Sequence, residues 1–442
     1  MTILDSNKIL APYFCRTRGI IKSGAQRMHA LCPWILDSKT KSIPLILVGG
    51  SNGKGTTCAF LEQLLRTHND KTGLYTSPHL VHPNERIRID GTPVDENSLA
   101  AALQTIELRM LKSLPDATFF EIMTAAALEI FYKNGCTAIV FEVGLGGHFD
   151  STNAINPLLS VLTSVSLEHT DILGKDIFTI ARDKTHICRR NKNIIFGNLE
   201  SNAFDGFLKT ASKIGARAVF ANGLMYPEDS LLMAENRYFR KISGFGAKIN
   251  ELNKSWLKLN IKNIEIALTA FYYFQELRNV ILADDFVLQA LSDTFWPGRF
   301  DVRTINKFKV IFDGSHNCES VEFFLEQLKN SEFNNRKFTI VYGSLADKNW
   351  NEVLNSLSKI SNNLILTQPD SPRAVNSIDL LNKAPNSKNT FSIPELKSAL
   401  EKAFDLSDST EDVIIITGSI VLIGQAMEIL NVSPFDKGEV II

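Results

Sequence analysis

IPLILVGGSNGKGTTCAFLEQLL, residues 43 to 65, changes character twice within 23 residues. Ile43 to Val48 is an apolar run too short for a helix and of the right length for a buried strand. It ends in Gly49-Gly50 and passes through Ser51, Asn52, Gly53, Lys54, Gly55 and Thr56. Ala59, Leu61, Leu64 and Leu65 then recur at helical spacing. The pattern is strand, glycine loop, helix. Glycines let the backbone turn tightly and aim its N–H groups at an anion, the helix N-terminus adds partial positive charge, and Lys54 can reach a terminal phosphate. Thr56 is a candidate ligand for a phosphate-bound metal ion. The loop departs from a strict Walker A motif, because Val48 stands where that motif has its first glycine and Gly55 where it has Ser or Thr. A nucleotide phosphate site is the expectation; the bland alternative is a flexible glycine turn.

The remainder of the chain must say which chemistry that loop serves. With 442 residues the length suggests two or three domains. Formal net charge is −1 and basic residues are spread along the chain, which argues against nucleic acid and anionic membrane surfaces as partners. Cys15, Cys32, Cys58, Cys136, Cys188 and Cys318 are scattered, without a CxxC pair or zinc-ligand spacing, so reduced thiols are expected. The first residues, MTILDSNKILAPYF, lack a basic start followed by a sustained apolar core, and no stretch reaches the ~18 to 20 apolar residues of a membrane span. A cytoplasmic protein with no membrane or nucleic-acid partner is expected, working as a monomer.

Residues 1 to 42 read as a helical lead-in with Ile20, Ile21, Met28 and Leu31 as core contacts. Downstream, short apolar strands end in polar residues: Lys71 to Tyr75 in Thr76-Ser77-Pro78-His79, Ala138 to Val143 in Gly144-Leu145-Gly146-Gly147, and Leu158 to Val165 in Glu168-His169-Thr170-Asp171. Helices are expected over 97–113, 119–134 and 261–274, and short strands over 193–196 and 216–221. A second alternation of strand and helix follows Trp296-Pro297-Gly298-Arg299, with Pro394 in the first turn of a helix. Alternating elements argue for largely parallel sheets, and ligands of such sheets sit at the carboxyl ends of the strands. The boundary is placed at Pro297, giving domains 1–297 and 298–442.

Several residues at these strand ends carry chemistry. Glu142 closes an apolar strand, where a carboxylate is costly unless paired or bound to a cation. His169, at the end of the next strand, can share a metal ion with Glu142 and the Ser77 hydroxyl, although magnesium prefers oxygen ligands. Lys184 lies on a helix beyond His169 and by itself reads as a solvated lysine. Asp313 and His316 follow the first strand of the second domain, and the bland reading of the pair is a helix N-cap plus a surface histidine. Arg299 is a candidate phosphate clamp.

Taken in order, GGSNGKGT (49–56), TSPHL (76–80), ERIRIDG (85–91), FFE (119–121), EVGLGGHFDSTN (142–153), SLEHTDILG (166–174), ARDKTHI (181–187), PGRFDV (297–302), DGSHN (313–317), GSLADKN (343–349) and TGSIVLIG (417–424) form a series. This series resembles the motifs of the folylpolyglutamate synthase and dihydrofolate synthase family, within the Mur ligase group. The resemblance implies an α/β protein: an N-terminal ATPase domain with a P-loop-type, mostly parallel sheet, and a smaller Rossmann-like α/β C-terminal domain. It implies an ATP-dependent amide ligase that joins L-glutamate to a pteroate or folate carboxylate through an acyl phosphate, with the domains closing over a cleft.

By the same resemblance, Gly50, Ser51, Asn52, Gly53, Lys54, Gly55 and Thr56 would hold the ATP phosphates, with Asn263, Arg299 and Asp313 also touching ATP. Ser77, Glu142 and His169 would bind two Mg2+ ions, and Lys184 matches a lysine that the family carbamylates. Lys54, Glu142, His169 and Lys184 form the implied catalytic set. His316 would receive the incoming glutamate, while His79, Arg86 and Phe120 would lie near the pterin. The chain departs from the pattern at GGHFD, where His148-Phe149 stand in place of the usual Arg and Leu or Phe, and at Asp183 and Thr185-His186, which replace Glu and Ala-Gly around Lys184. Loss of a permanent cation at residue 148 alters how an acidic substrate is held. Two alternatives stand beside the folate reading: ligation of an amino acid to a different carboxylic acid, and a catalytically silent paralogue acting as a binding subunit.

Overall fold

The computed structural model describes residues 10–11, 24–31, 43–114, 116–221, 238–251, 257–258, 260–281, 284–385, 389–407, 409 and 411–436. Ile20 and Ile21, expected as core contacts, lie outside these residues. The chain divides into two compact units, residues 1–77 with 83–294, and residues 78–82 with 295–442.

In the first unit, eight strands form one sheet: β1 (Leu45–Gly49), β2 (Thr72–Tyr75), β3 (Ile87–Ile89), β4 (Thr92–Pro93), β5 (Ala138–Glu142), β6 (Leu159–Leu162), β7 (Asn193–Phe196) and β8 (Arg217–Phe220). Their order is β4-β3-β2-β5-β1-β6-β7-β8. All pairings are parallel except β2 with β3 and β3 with β4. All five residues of β1 are buried, as a strand covered on both faces must be. The chain reaches β5 on one side of β1 and β6 on the other. Their carboxyl ends therefore flank a topological switch point, where open α/β sheets form ligand crevices.

Helices cover this sheet. Helix Phe119–Lys133 begins with a capping box in which the Thr118 side chain accepts from the Glu121 N–H and Glu121 reaches back to the Thr118 N–H. Glu121 also pairs with Arg27 at 2.6 Å, tying the helix Gly24–Leu31 to the body of the unit. Phe131 packs flat against β2 because residue 73 is glycine: a Cβ there would stand 2.7 Å from its ring. Met28 of the lead-in is fully buried, as expected.

Among the described residues, the second unit has six strands: β9 (Asp301–Ile305), β10 (Phe308–Asp313), β11 (Phe338–Tyr342), β12 (Asn363–Leu366), β13 (Thr390–Ser392) and β14 (Val413–Thr417). Their order is β13-β12-β11-β14-β10-β9, parallel throughout except for the β9–β10 pair. Successive side chains of a strand face opposite ways, so this sheet feeds two cores. Val310, Phe312, Ile414 and Ile416 join one core with helices Leu396–Asp405 and Ile420–Ile429. Ile311, Ile340 and Ile415 join the other with helices Cys318–Lys329 and Trp350–Ser358. One helix start differs from expectation. Pro394 lies before the helix, whose N-cap is Glu395, because the Pro394 carbonyl is held by the Gln368 N–H and the Thr367 hydroxyl at the end of β12.

Candidate active site

Gly50 leaves β1 with φ 141° and Gly53 enters the helix Lys54–Thr67 with φ 79°, both in the region that favours glycine. Neither position has room for a side chain: a Cβ would lie 2.0 Å from the Thr163 hydroxyl at residue 50 and 2.3 Å from Asn263 Oδ1 at residue 53. The loop is clamped by the segment leaving β6. The Ser51 N–H donates to the Ser164 carbonyl at 2.9 Å, the Asn52 N–H to Ser164 Oγ at 3.0 Å, and the Thr163 hydroxyl to the Asn52 carbonyl at 2.6 Å. Asn263 holds the other flank, within 3.4 Å of the Thr57 hydroxyl. Gly53 makes no side-chain cap, so the first N–H groups of the helix stay open at its positive end.

Two ammonium groups converge on one carbonyl of this loop. Lys54 Nζ donates to the Gly50 and Ser51 carbonyls at 2.9 and 3.0 Å, and Lys184 Nζ donates to the same Gly50 carbonyl at 3.2 Å. Lys184, on the helix Ile177–Thr185, is 1 % exposed and also donates to Glu168 Oε1 at 2.9 Å. Burial pushes the Lys184 amine below its usual range, against the pull of Glu168. Burial alone would raise the Glu168 carboxyl, but the charges of Lys184 and Lys54 and hydrogen bonds from Lys184 and Ser51 bring it down to about 2.

Glu142 is 4 % exposed at the end of β5, beside β1, and its Oε2 accepts the Ser77 N–H at 2.8 Å. The following loop is bound down by Asp150, whose oxygens accept the Leu145 N–H at 2.9 Å and the Thr152 N–H at 2.9 Å. Phe120 presses on Gly144, where a Cβ would stand 2.4 Å from its ring, and lies 5.9 Å from the Tyr75 ring. Arg86 is buried with its guanidinium 4.9 Å from the Phe119 ring centroid. His148 is exposed and its ring contacts that of His186 at 4.3 Å, so the two histidines that depart from the family pattern touch each other.

In the second unit Asp313, at the end of β10, accepts the Phe300 N–H at 2.8 Å and the Ser315 N–H at 2.9 Å. Burial raises its carboxyl while neighbouring Arg299 opposes that rise. The helix N-cap is Asn317 rather than Asp313. His316 turns Nδ1 onto the Gly314 carbonyl at 2.8 Å. His79 falls in the segment 78–82 that packs with this second unit.

Residues 48–269 match the Mur ligase middle domain family, and residues 298–420 match the Mur ligase glutamate ligase domain. A dihydrofolate synthase/folylpolyglutamate synthase from Buchnera aphidicola subsp. Acyrthosiphon pisum is 30 % identical over 87 % of this chain and 89 % of its own length. The chain is a Mur ligase of the dihydrofolate synthase/folylpolyglutamate synthase family. The fold of this Mur ligase is similar to that of Escherichia coli FolC in complex with DHPP and ADP, with TM-score 0.79, 26 % identity and coverage of 97 % and 98 % of the two chains. It is equally similar to the Yersinia pestis bifunctional folylpolyglutamate synthase/dihydrofolate synthase complexed with AMPPNP and Mn ion, with TM-score 0.79, 25 % identity and coverage of 97 % and 99 %.

The ligase brings together Gly50 to Thr56, Lys54, Lys184 and Asn263, and separately joins Ser77 to Glu142. His169 is exposed, in a left-handed turn with φ 48° at the start of the helix Thr170–Leu173. Among the described residues no group of three or more His, Cys, Asp or Glu forms a ready-made metal cage. Mg2+ bound with a nucleotide keeps several waters and takes only one or two carboxylates in addition to phosphate oxygens. Glu142, a buried carboxylate at the end of β5, is of the chemical type that such an ion takes. Sequence reasoning noted Glu168 only as a neighbour of His169. The left-handed backbone at His169 leaves that histidine exposed while Glu168 bonds inward to Lys184, and a one-letter string carries no sign of this turn.

Proposed function

We propose that this Mur ligase uses ATP to join L-glutamate to the carboxylate of a pteroate or folate through an acyl phosphate. The observation that carries the reading is the loop Gly50–Thr56: an uncapped helix N-terminus with two ammonium groups gathered on the carbonyl of Gly50. A polyphosphate is the ligand such a site suits best. The names of the relatives supply the acid and the amino acid. In this reading the loop and Asn263 hold the ATP phosphates, and Lys54 swings from the Gly50 and Ser51 carbonyls to the transferred phosphoryl group. Stabilising charge on that group is the chief catalytic requirement of phosphoryl transfer.

Ser77, Glu142 and His169 are assigned to magnesium, with two ions as in the sequence reading, and bound magnesium would supply charge neutralisation at the phosphates. Lys184 is assigned to carbamylation, favoured by burial that disfavours its protonated form. Phe120 and Arg86 are assigned to the acid substrate together with His79. In the second unit Arg299 and Asp313 are assigned to ATP and His316 to glutamate. Once the carboxylate has been activated as an acyl phosphate, the glutamate amine attacks its carbonyl carbon and phosphate departs.

A monomeric, cytoplasmic enzyme belongs to the same reading; Cys58, Cys136, Cys188 and Cys318 are free thiols, which supports a reducing compartment. Among the described residues no helix is long and apolar enough to cross a membrane. The test is ADP release with a panel of dihydropteroate, tetrahydrofolate and unrelated carboxylic acids, each with ATP, magnesium and several amino acids. Turnover that requires a pteroate or folate together with glutamate supports the proposal. Turnover with other acids alone moves the protein to a different ligase specificity, and no turnover with any acid makes it a silent paralogue.

A further inference from the structure

His148 and His186 have no part in the chemistry proposed above, yet the fold brings them together. The glycine loop after β5 explains how. Gly146 has φ 66°, and a Cβ at Gly147 would lie 2.6 Å from the Lys184 carbonyl, so the loop backbone lies directly on the last turn of the helix Ile177–Thr185. His148 leaves that contact exposed to solvent, and His186 is the C-cap of the helix. Their ring centroids are 4.3 Å apart with the planes at 61°, and the Phe149 ring backs His148 at 4.4 Å.

The end of the helix fixes the tautomer of His186. Its backbone N–H donates to the Asp183 carbonyl, three residues back, at 3.1 Å, and its ring Nδ1 lies 2.7 Å from the Arg182 carbonyl. A carbonyl only accepts, so Nδ1 carries the proton and the lone pair of the neutral ring sits on Nε2. Burial pushes this imidazole below its usual range, which favours the neutral ring. A backbone carbonyl on one ring nitrogen is the arrangement that orients a histidine towards a metal ion on the other. The surroundings are negative as well. The helix C-terminus carries partial negative charge. Asp183 Oδ2 is buried without a hydrogen-bond partner, and both rings are close enough for their charges to act on its carboxyl. A buried carboxylate oxygen left unpaired is costly, and a nearby cation offsets that cost.

We propose that His148 and His186 form a two-imidazole site for a divalent transition-metal ion of the Zn2+ and Cu2+ class, which clips the loop 144–149 to the helix Ile177–Thr185. Imidazole suits such ions, whereas Mg2+ takes oxygen ligands, so the site differs in chemistry from the magnesium assigned to the phosphates. With metal–nitrogen bonds of about 2.0–2.1 Å, two imidazoles side by side on one ion have ring centres roughly 4.5–5 Å apart. The exposed His148 ring therefore needs only a small movement to bind. Among the described residues no group of three or more His, Cys, Asp or Glu surrounds the place, so water completes the coordination and Asp183 acts through its charge.

The test adds Cu2+ alone to the full-length protein, without nucleotide or acid, so its outcome is independent of the ligase reading. Electron paramagnetic resonance should show the first equivalent bound by two nitrogen ligands. The chain has 8 histidines, so variants decide which ones bind. His148→Arg, which puts the family's usual residue at an exposed position, and His186→Gln should each weaken the first equivalent by about 100-fold or more, since losing a group that merely supports a ligand already costs about 10–100-fold. Zn2+ should raise the unfolding temperature of the unaltered protein and of neither variant, because an ion that binds only the folded chain stabilises it. A first equivalent without two nitrogen ligands, or one bound as tightly by His148→Arg as by the unaltered protein, overturns the site. An equal Zn2+ effect on the unaltered protein and His148→Arg overturns the clip. If His186→Gln does not fold, His148→Arg decides both points.

Discussion

Each unit runs a strand into a loop and then a helix, yet the helices begin differently. After β1, the helix Lys54–Thr67 starts from a left-handed Gly53 with no side chain to bond its first N–H groups. After β10, the helix Cys318–Lys329 starts from Asn317, which accepts the Ser320 N–H at 2.8 Å while Ser320 Oγ accepts the Asn317 N–H at 3.2 Å. After β14, Ser419 accepts the Leu422 N–H at 3.0 Å. A capped terminus has used its donors internally, and an uncapped one beside two ammonium groups is ready for an anion. The strand-end acids do not share this difference, since both are buried and both accept backbone N–H groups. Asp313 accepts the N–H groups of Phe300 and Ser315, and Glu142 accepts that of Ser77. The difference between the sheets lies in the helix starts: the one after β1 has no side-chain cap, and those after β10 and β14 have one.

The sharpest way to break this contrast is Lys54→Ala. Losing one preorganised donor to a transferring group typically costs about 10²–10³-fold in kcat, and ADP turnover should fall by at least that much. Lys54 is half-exposed, so thermal unfolding should be nearly unchanged. Turnover at the original rate removes Lys54 from the phosphate site. Glu142→Ala comes next in size. It takes away a buried carboxylate and the partner of the Ser77 N–H, and losses of about 10–100-fold in metal affinity are typical when groups supporting a metal are removed. A magnesium titration of ADP release should shift to higher concentration by that order. An unshifted titration takes Glu142 out of the metal site.

Most of the strand and helix alternation was legible because it rests on apolar periodicity, which burial imposes on any sequence. The helices expected over 97–113 and 119–134 run as Glu96–Ser113 and Phe119–Lys133. The glycine loop was legible for a related reason, since Gly50 and Gly53 stand where no other residue fits. What escaped were contacts set by local backbone geometry and by chain ends far apart in sequence. His148 and His186 read as two independent departures from the family pattern, and only the folded chain brings their rings to 4.3 Å. Glu168 and His169 are adjacent in the string, but one bonds inward to Lys184 and the other is exposed. Pro394 read as a helix start because proline suits that position, but two donors from the end of β12 hold its carbonyl in the preceding extended segment.

Gly53→Ala tests whether the open helix end depends on its left-handed entry. A left-handed conformation costs a non-glycine residue about 1–2 kcal/mol, and the new Cβ would also displace Asn263, from whose Oδ1 it would stand 2.3 Å. Stability should fall by at least that amount in chemical denaturation, and the rise in Tm on adding ADP should shrink. An undiminished ADP effect would mean that the geometry of residue 53 is not what keeps the site open.

The smallest effect is expected from Asn317→Ala, which carries the other half of the comparison. Removing an N-cap of this kind typically costs about 1 kcal/mol, so the midpoint of chemical denaturation should move slightly downward. If the second unit's cap serves only its own helix, the rise in Tm with ADP should be the same in this variant as in the unaltered protein, because no ligand donor has been removed. Loss of the ADP effect in Asn317→Ala would show that a capped terminus also takes part in nucleotide binding, and the contrast between an open and a closed helix end would then no longer distinguish the two sheets.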